Sequence, residues 1–153
     1  MPPISLCIIG KNEEQHIENC LAPLAPLPFE IVYVDTGSTD RTKELAAKHG
    51  ANIYDFTWID DFSAARNFAL EKASHEYVLF IDCDEYLSSL DTDALYRAVQ
   101  TCPAGVGMLL RNNYFEANGT PTNYPDRVER LFSKKQFHYK GIIHEQVVTR
   151  GGD

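Results

Sequence analysis

The chain opens on a run of apolar positions, Ile4-Ser5-Leu6-Cys7-Ile8-Ile9, and similar short runs return at Ile31-Val32-Tyr33-Val34 and Tyr77-Val78-Leu79-Phe80-Ile81. Runs of four to six residues without polar alternation suit strands buried on both faces of a parallel sheet. Between them the period lengthens. Ile17, Leu21 and Leu24 repeat at helical spacing, with Asn12 as the predicted N-cap, Glu13 and Glu14 near the positive helix end, and Pro23 and Pro26 closing the segment. A second helix is predicted over residues 41–49, capped by Ser38 or Asp40, with Lys48 and His49 in its last turn and Gly50 as its stop. A third strand, residues 52–56, precedes a helix capped by Ser63, with Ala65, Phe68, Ala69 and Lys72 along its inner side. Strands alternating with helices predict a parallel sheet with right-handed crossovers, and ligands of such sheets gather beyond the carboxyl ends of the strands.

After Asp91 the texture changes. Asp91 or Thr92 caps a short helix with Leu95, Ala98 and Val99 inward. Strands are then predicted over residues 106–115, 127–133 and 139–149, with a turn at Asn118-Gly119-Thr120. These strands have no helices between them and are expected as antiparallel additions. The fold class read from the pattern is α/β, a mainly parallel sheet with antiparallel additions in the C-terminal part.

Composition narrows the setting. The 153 residues make one domain of ordinary size, 44% hydrophobic and 24% charged, with no apolar run long enough for a membrane helix and no secretory leader pattern. A cytoplasmic protein is expected, compatible with peripheral association at the inner face of a membrane. The formal charge of −8 argues against broad nucleic-acid binding, and the Lys134, Lys135, His138 and Lys140 cluster reads as a solvated edge. Cys7, Cys20, Cys83 and Cys102 show no zinc spacing and read as small buried thiols. The ending at Arg150-Gly151-Gly152-Asp153 lacks a final helix, and a chain cut from something longer is expected.

Acids follow the apolar runs. Asn12, Glu13 and Glu14 come after the first, Asp35 ends the second, and Asp82-Cys83-Asp84-Glu85 ends the third. In an extended chain a two-residue step points Asp82 and Asp84 to one side. Two carboxylates so placed repel unless a cation lies between them, and oxygen-only ligands suit magnesium or manganese. The competing reading is a solvated acidic turn.

Taken together, S-L-C-I-I-G-K-N-E-E, I-V-Y-V-D-T-G-S-T-D-R-T, A-A-R-N-F-A-L-E-K-A and Y-V-L-F-I-D-C-D-E resemble, in order and spacing over about residues 4–90, the inverting family 2 glycosyltransferases of the GT-A fold. R-V-E-R-L-F and Y-K-G-I-I-H-E resemble a subgroup associated with lipopolysaccharide core sugars and tetratricopeptide-repeat proteins. The resemblance implies a Rossmann-like three-layer sandwich and a single domain over residues 1–153. Its residues 1–90 would bind the nucleotide sugar, and residues 91–153 would face the acceptor.

It implies a nucleotide-diphosphate sugar donor, bound Mg2+ or Mn2+, and a glycan, lipid-linked or protein acceptor, in cell-envelope or lipopolysaccharide glycan synthesis. Ile9, Asn12 and Glu13 would border the nucleotide, and Asp35 would hydrogen-bond its base or ribose. Arg66 would lie near the diphosphate or brace the metal loop. Asp82 would contact the ribose, or the metal through water; Asp84 would bind the metal directly, with His144 as a further ligand. Glu145 would be the base that deprotonates the acceptor, with Glu129 and Asp126 behind it.

One departure matters. Members of the broad family carry a G-G-F-D-E-like stretch and then an acidic pair, whereas this chain has G-I-I-H-E and ends eight residues after Glu145. If H-E corresponds to the earlier stretch, the base lies beyond Asp153 and the chain binds donor without transferring sugar. A non-catalytic nucleotide-sugar-binding module is therefore the rival reading, ahead of a sugar-phosphate nucleotidyltransferase, for which Gly10-Lys11-Asn12 is too sparse a loop, and of a D-x-D phosphatase, which Tyr86 disfavours.

Overall fold

The computed structural model describes residues 3–141 and 145–150. In the first half, β1 (Ile4–Gly10), α1 (Ile17–Leu21), β2 (Glu30–Asp35), α2 (Thr42–Lys48), β3 (Asn52–Asp55), α3 (Phe62–Lys72) and β4 (Tyr77–Phe80) alternate as expected. They are followed by α4 (Thr92–Thr101), β5 (Gly107–Ala117), β6 (Thr120–Ser133), β7 (Phe137–Lys140) and β8 (Gln146–Thr149). The main sheet has the order β3-β2-β1-β4-β6-β5. β1 runs parallel to β2 and β4, and β2 to β3, while β6 is antiparallel to β4 and β5. β7 and β8 form a separate antiparallel pair.

Burial explains the uninterrupted apolar runs. Successive strand residues point to opposite faces, and both faces are covered. Leu6, Ile8, Tyr33 and Leu79 pack with Leu21 of α1, Leu45 of α2 and Leu95 of α4. Cys7, Val32, Val34 and Phe80 pack with Ala69 and Leu70 of α3 and with Tyr139 of β7. The result is a three-layer sandwich with α3 and the small β-pair on one side and the other helices opposite.

Several local expectations are corrected, each for a visible reason. Asn12 is not a helix cap: its φ is 53° and its side-chain oxygen accepts from the Thr39 N–H, 2.8 Å away, so the left-handed tolerance of asparagine stitches two loops together. The first helix starts only at Ile17. Asp61, not Ser63, caps α3 by accepting from the Ala64 N–H, and the Ser63 hydroxyl donates to the Gly141 carbonyl instead. In α4 the cap is Asp91, but Tyr96 is buried and Ala98 is exposed.

Lys134 is no solvated cation, because its ammonium bonds the Leu70 and Ala73 carbonyls at the C-terminal end of α3. Residues 139–149 do not form one strand: β7 ends at Lys140, and Gly141 has a φ of 112°. The Asn118-Gly119 turn is as expected, with φ of 52° and 77° joining β5 to β6.

Candidate active site

Three parallel strands deliver their carboxyl ends to one rim of the sheet. β1 pairs with β2 as far as Gly10 opposite Asp35, whereas β4 pairs with β1 only to Phe80 opposite Cys7. The chain after β4 therefore crosses beside the last residues of β1. Cys83 packs there, its thiol 3.5 Å from the Ile9 carbonyl. The acidic stretch is not extended. It turns at Cys83-Asp84, closed by the Glu85 N–H donating to the Asp82 carbonyl at 2.9 Å. Asp82 is half-buried and Asp84 exposed, yet both line one cleft of about 410 Å³ with Ile9, Glu13, Phe62, Arg66, Cys83 and Glu145. Five of the residues expected to touch donor or metal (Ile9, Glu13, Arg66, Asp82, Asp84) thus meet in one place, together with the expected base Glu145.

Two others stand back from that cleft. Asp35 is 1% exposed, and four donors occupy its carboxylate: the Tyr33 hydroxyl (2.9 Å), the Ser38 hydroxyl (2.6 Å) and the N–H groups of Gly37 (3.1 Å) and Ser38 (2.7 Å). Burial opposes its charge, but the bonds from Ser38, Tyr33 and Gly37 prevail and hold its carboxyl below the ordinary range. A ligand bond to Asp35 would have to displace one of these donors. Asn12 donates its N–H to the Ser38 hydroxyl at 2.9 Å and accepts from Thr39, so both residues shape the rim between β1 and β2. His144 lies outside the described residues.

Arg66 holds the centre. From the second turn of α3 its Nε donates to Glu145 Oε1 at 2.7 Å and its Nη2 to Asp82 Oδ1 at 3.2 Å. Its guanidinium carbon lies 5.5 Å from the centre of the Phe80 ring and 5.3 Å from that of Tyr139, a cation–π seat for a side chain only 17% exposed. Burial works against its charge, and Tyr139, Asp82 and Glu145 more than compensate, raising its pKa above the ordinary arginine value. Glu145 has its second oxygen, Oε2, without a hydrogen-bond partner among the described residues.

Sequence reasoning missed Arg130. It is 9% exposed and donates to both oxygens of Glu85 (2.8 and 2.9 Å), to Asp82 Oδ2 (3.4 Å) and to the Phe80 carbonyl (3.2 Å). A signal was present. Arg130 precedes Leu131 and shares strand parity with the core residue Phe132, so period two alone buries it and demands carboxylate partners. Glu85, the third acid of D-C-D-E, is that partner.

A second cleft, of about 760 Å³, adjoins the first at shared residues. Arg66, Asp82 and Glu145 line it as well, with Arg111, Arg130 and Tyr139 among its other walls. Asp126 is bound by Arg111 through two bonds, which hold its carboxyl below the ordinary range, while Glu129 is exposed. Of the aromatic residues near the late strands, Tyr139 is core, whereas Tyr114 and Tyr124 are exposed on the β5–β6 hairpin.

Among the described residues, no three His, Cys, Asp or Glu side chains converge as a ready metal cage. The donor set nevertheless fits a hard divalent ion of the kind that keeps waters and takes phosphate oxygens. Such an ion needs only one or two protein carboxylates, and Asp84 is an exposed carboxylate with no ion pair among the described residues, on the cleft wall. The thiol beside it is a poor ligand for such an ion, since burial raises the Cys83 pKa.

Comparison with known proteins bears on this geometry. The sequence model of the family described as "Glycosyl transferase family 2" matches residues 5–149. A TPR repeat-containing protein of Synechococcus elongatus is 32% identical over 148 residues, 96% of this chain and 36% of the relative. The lipopolysaccharide core biosynthesis glycosyltransferase LpsC of Rhizobium meliloti is 30% identical over 158 residues, 97% of this chain and 58% of the relative. Both relatives are thus considerably longer than this chain. Among solved structures, the mannosyltransferase PcManGT from Pyrobaculum calidifontis in complex with GDP-Man and Mn2+ matches with a TM-score of 0.57 at 25% identity, covering 70% of this chain and 34% of that one.

Proposed function

This chain belongs to glycosyl transferase family 2 and has the GT-A fold, and from that premise we propose that it transfers one sugar, with inversion, from a nucleoside-diphosphate donor to an acceptor hydroxyl. The observation that carries the proposal is the meeting of two clefts at Arg66, Asp82 and Glu145. The first cleft, with Asp84, Glu13 and Ile9, takes the donor. The second takes the acceptor, so residues 1–90 form the donor half of one domain and residues 91–153 its acceptor side. Arg130 lines the second cleft and reaches from β6 to Glu85 and Asp82 of the acidic loop.

Asp84, with Asp82 behind it, would hold Mg2+ or Mn2+, and His144 remains a candidate third ligand. A divalent ion at this point supplies positive charge for the diphosphate as it leaves. The chain's own residues do the rest. Arg66 presents a permanent cation to the diphosphate from a buried aromatic seat. Ile9 and Glu13 border the nucleotide, and Asp35 and Asn12 act by building the rim on which the base and ribose rest.

Glu145, anchored through Oε1, takes the acceptor proton on Oε2, opposite the leaving group, which yields inversion at the anomeric carbon. The identity with LpsC and the resemblance of R-V-E-R-L-F to lipopolysaccharide-core enzymes support an envelope glycan as the acceptor. Among the described residues no helix is long and apolar enough to cross a membrane.

The test is a panel of nucleotide sugars incubated with the protein and Mn2+, read as release of nucleoside diphosphate. Turnover of one donor, abolished by chelation and by Asp84→Ala, is expected. Binding of a donor without turnover would favour the non-catalytic reading, and turnover indifferent to both chelation and Asp84→Ala would contradict the metal assignment.

A further inference from the structure

Within R-V-E-R-L-F, Leu131 and Phe132 enter the core and Arg130 bonds the acidic loop, whereas Arg127 and Glu129 stay exposed on the wall of the second cleft. The other charges of that cleft are already matched. Arg66 holds Glu145 and Asp82, Arg130 holds Asp82 and Glu85, and Arg111 holds Asp126, with Glu85 at 3.7 Å. Arg127 and Glu129 make no ion pair and no side-chain hydrogen bond among the described residues.

The register of the β5–β6 hairpin sets Met108 opposite Glu129 and Leu110 opposite Arg127, and directly opposed residues of antiparallel strands share a face. Met108 and Leu110 are both exposed. A carboxylate, a guanidinium and two apolar side chains therefore form a two-by-two array, about 5 Å across the strands and about 7 Å along them. Met108 carries this array into the cleft that Glu145 also lines.

We propose that the array is a subsite for a neutral sugar ring of the acceptor, with Arg127 and Glu129 as its specificity-determining residues. This deepens the reading of the second cleft as the acceptor side and rests on it. A sugar ring has an apolar C–H face and a rim of hydroxyls that both donate and accept. Met108 and Leu110 cover the face, Glu129 accepts from the rim, and Arg127 donates to its neighbouring hydroxyls. The charge balance selects against an anionic group. Arg66, Arg111, Arg127 and Arg130 face Asp82, Glu129 and Glu145 in the wall, and Glu85 and Asp126 are bonded to two of these arginines, so four cations stand against five carboxylates. Asp84 and Glu13 of the adjoining cleft add further negative charge. A phosphate or carboxylate entering here would find Arg127 already balanced by Glu129 two residues away.

The experiment is saturation-transfer NMR with methyl glucoside, methyl galactoside and methyl mannoside as neutral probes, and methyl glucuronide and glucose 6-phosphate as anionic ones. Spectra are recorded with and without UDP or GDP and Mg2+. At least one neutral glycoside should bind, and Arg127→Ala and Glu129→Ala should each weaken it by about tenfold to a hundredfold, the loss of hydrogen bonds to a charged group. Glu129→Gln, which still accepts from a hydroxyl, should lose less. Both positions are exposed, so the variants should melt like wild type and bind nucleotide with wild-type affinity in calorimetry, which a merely structural role would not allow. An anionic probe that binds more tightly than the neutral glycosides overturns the proposal. So does neutral binding indifferent to both alanine substitutions, or the absence of any neutral binding. Failure of either nucleotide to bind overturns the donor-site reading instead, and the spectra without nucleotide still decide the sugar subsite.

Discussion

Arg66 and Glu145 are joined by a 2.7 Å ion pair that links α3 to the residue just before β8, between the two clefts. Both groups are largely buried, with Asp82 as the other carboxylate on the same guanidinium. Removing the cation would leave two half-buried or buried carboxylates together. Arg66→Ala should therefore lower stability by about 3–5 kcal/mol, the cost of breaking a buried pair from one side. Urea titration at neutral pH measures this, and a loss below about 1 kcal/mol, the range of surface pairs, would contradict the packing described.

Glu145→Gln separates the base from the strut. The amide oxygen can still accept from Arg66 Nε, so the fold and nucleotide binding should survive. Donor turnover should fall by about 10²- to 10⁴-fold, the usual contribution of a positioned general base. Unchanged turnover would move the base to another carboxylate, Glu129 being the exposed one in the second cleft.

Gly10 is needed because no side chain fits there. A Cβ at this position would stand 2.5 Å from the Cys83 sulfur and 3.0 Å from the Tyr33 hydroxyl. Gly10→Ala should cost about 1–3 kcal/mol through overpacking, and should also displace the turn carrying Asp82 and Asp84. Thermal melts and Mn2+-dependent UDP binding should both be affected.

Asp35 gives a pH dependence with a definite sign. Its folded pKa is depressed, so the stability it contributes is complete above the unfolded value near ~3.9 and is lost as pH falls through the folded value. Asp35→Asn cannot accept all four bonds and should cost about 1–3 kcal/mol at pH 7. The gap between variant and wild type should narrow below about pH 4. Urea midpoints at pH 7 and pH 3 decide it; a gap that stays constant would place the cost in packing.

Much of the sheet could be read from the sequence because double-sided burial leaves runs such as Ile31-Val32-Tyr33-Val34 with no polar alternation, and because Gly50 and Asp91 mark helix ends by local chemistry. The misplaced caps have one cause. Asn12 and Ser63 look like caps from their sequence neighbours, whereas their partners, Thr39 and Gly141, lie 27 and 78 residues away. The same limit hid Arg130, whose partners Asp82 and Glu85 come from another strand end. Pattern reveals which face a residue occupies; it does not reveal what waits on that face. Glu13, Asp82 and Asp84 could be named because parallel strands bring their carboxyl ends to one rim, and Glu145 only through the resemblance carried by Y-K-G-I-I-H-E; the Arg66 bridge among them appears only in three dimensions.

The most direct test of the donor site is calorimetric titration of UDP and GDP into the protein with and without Mn2+, repeated on Asp84→Ala. Asp84 is exposed and makes no ion pair among the described residues, so the variant should fold with stability within about 0.5 kcal/mol of wild type. Metal-dependent binding of one nucleotide, lost in Asp84→Ala, is the predicted result. Absence of binding by either nucleotide to the folded protein, or binding indifferent to both Mn2+ and the substitution, would contradict the assignment of this cleft to a metal-bound nucleotide-sugar donor.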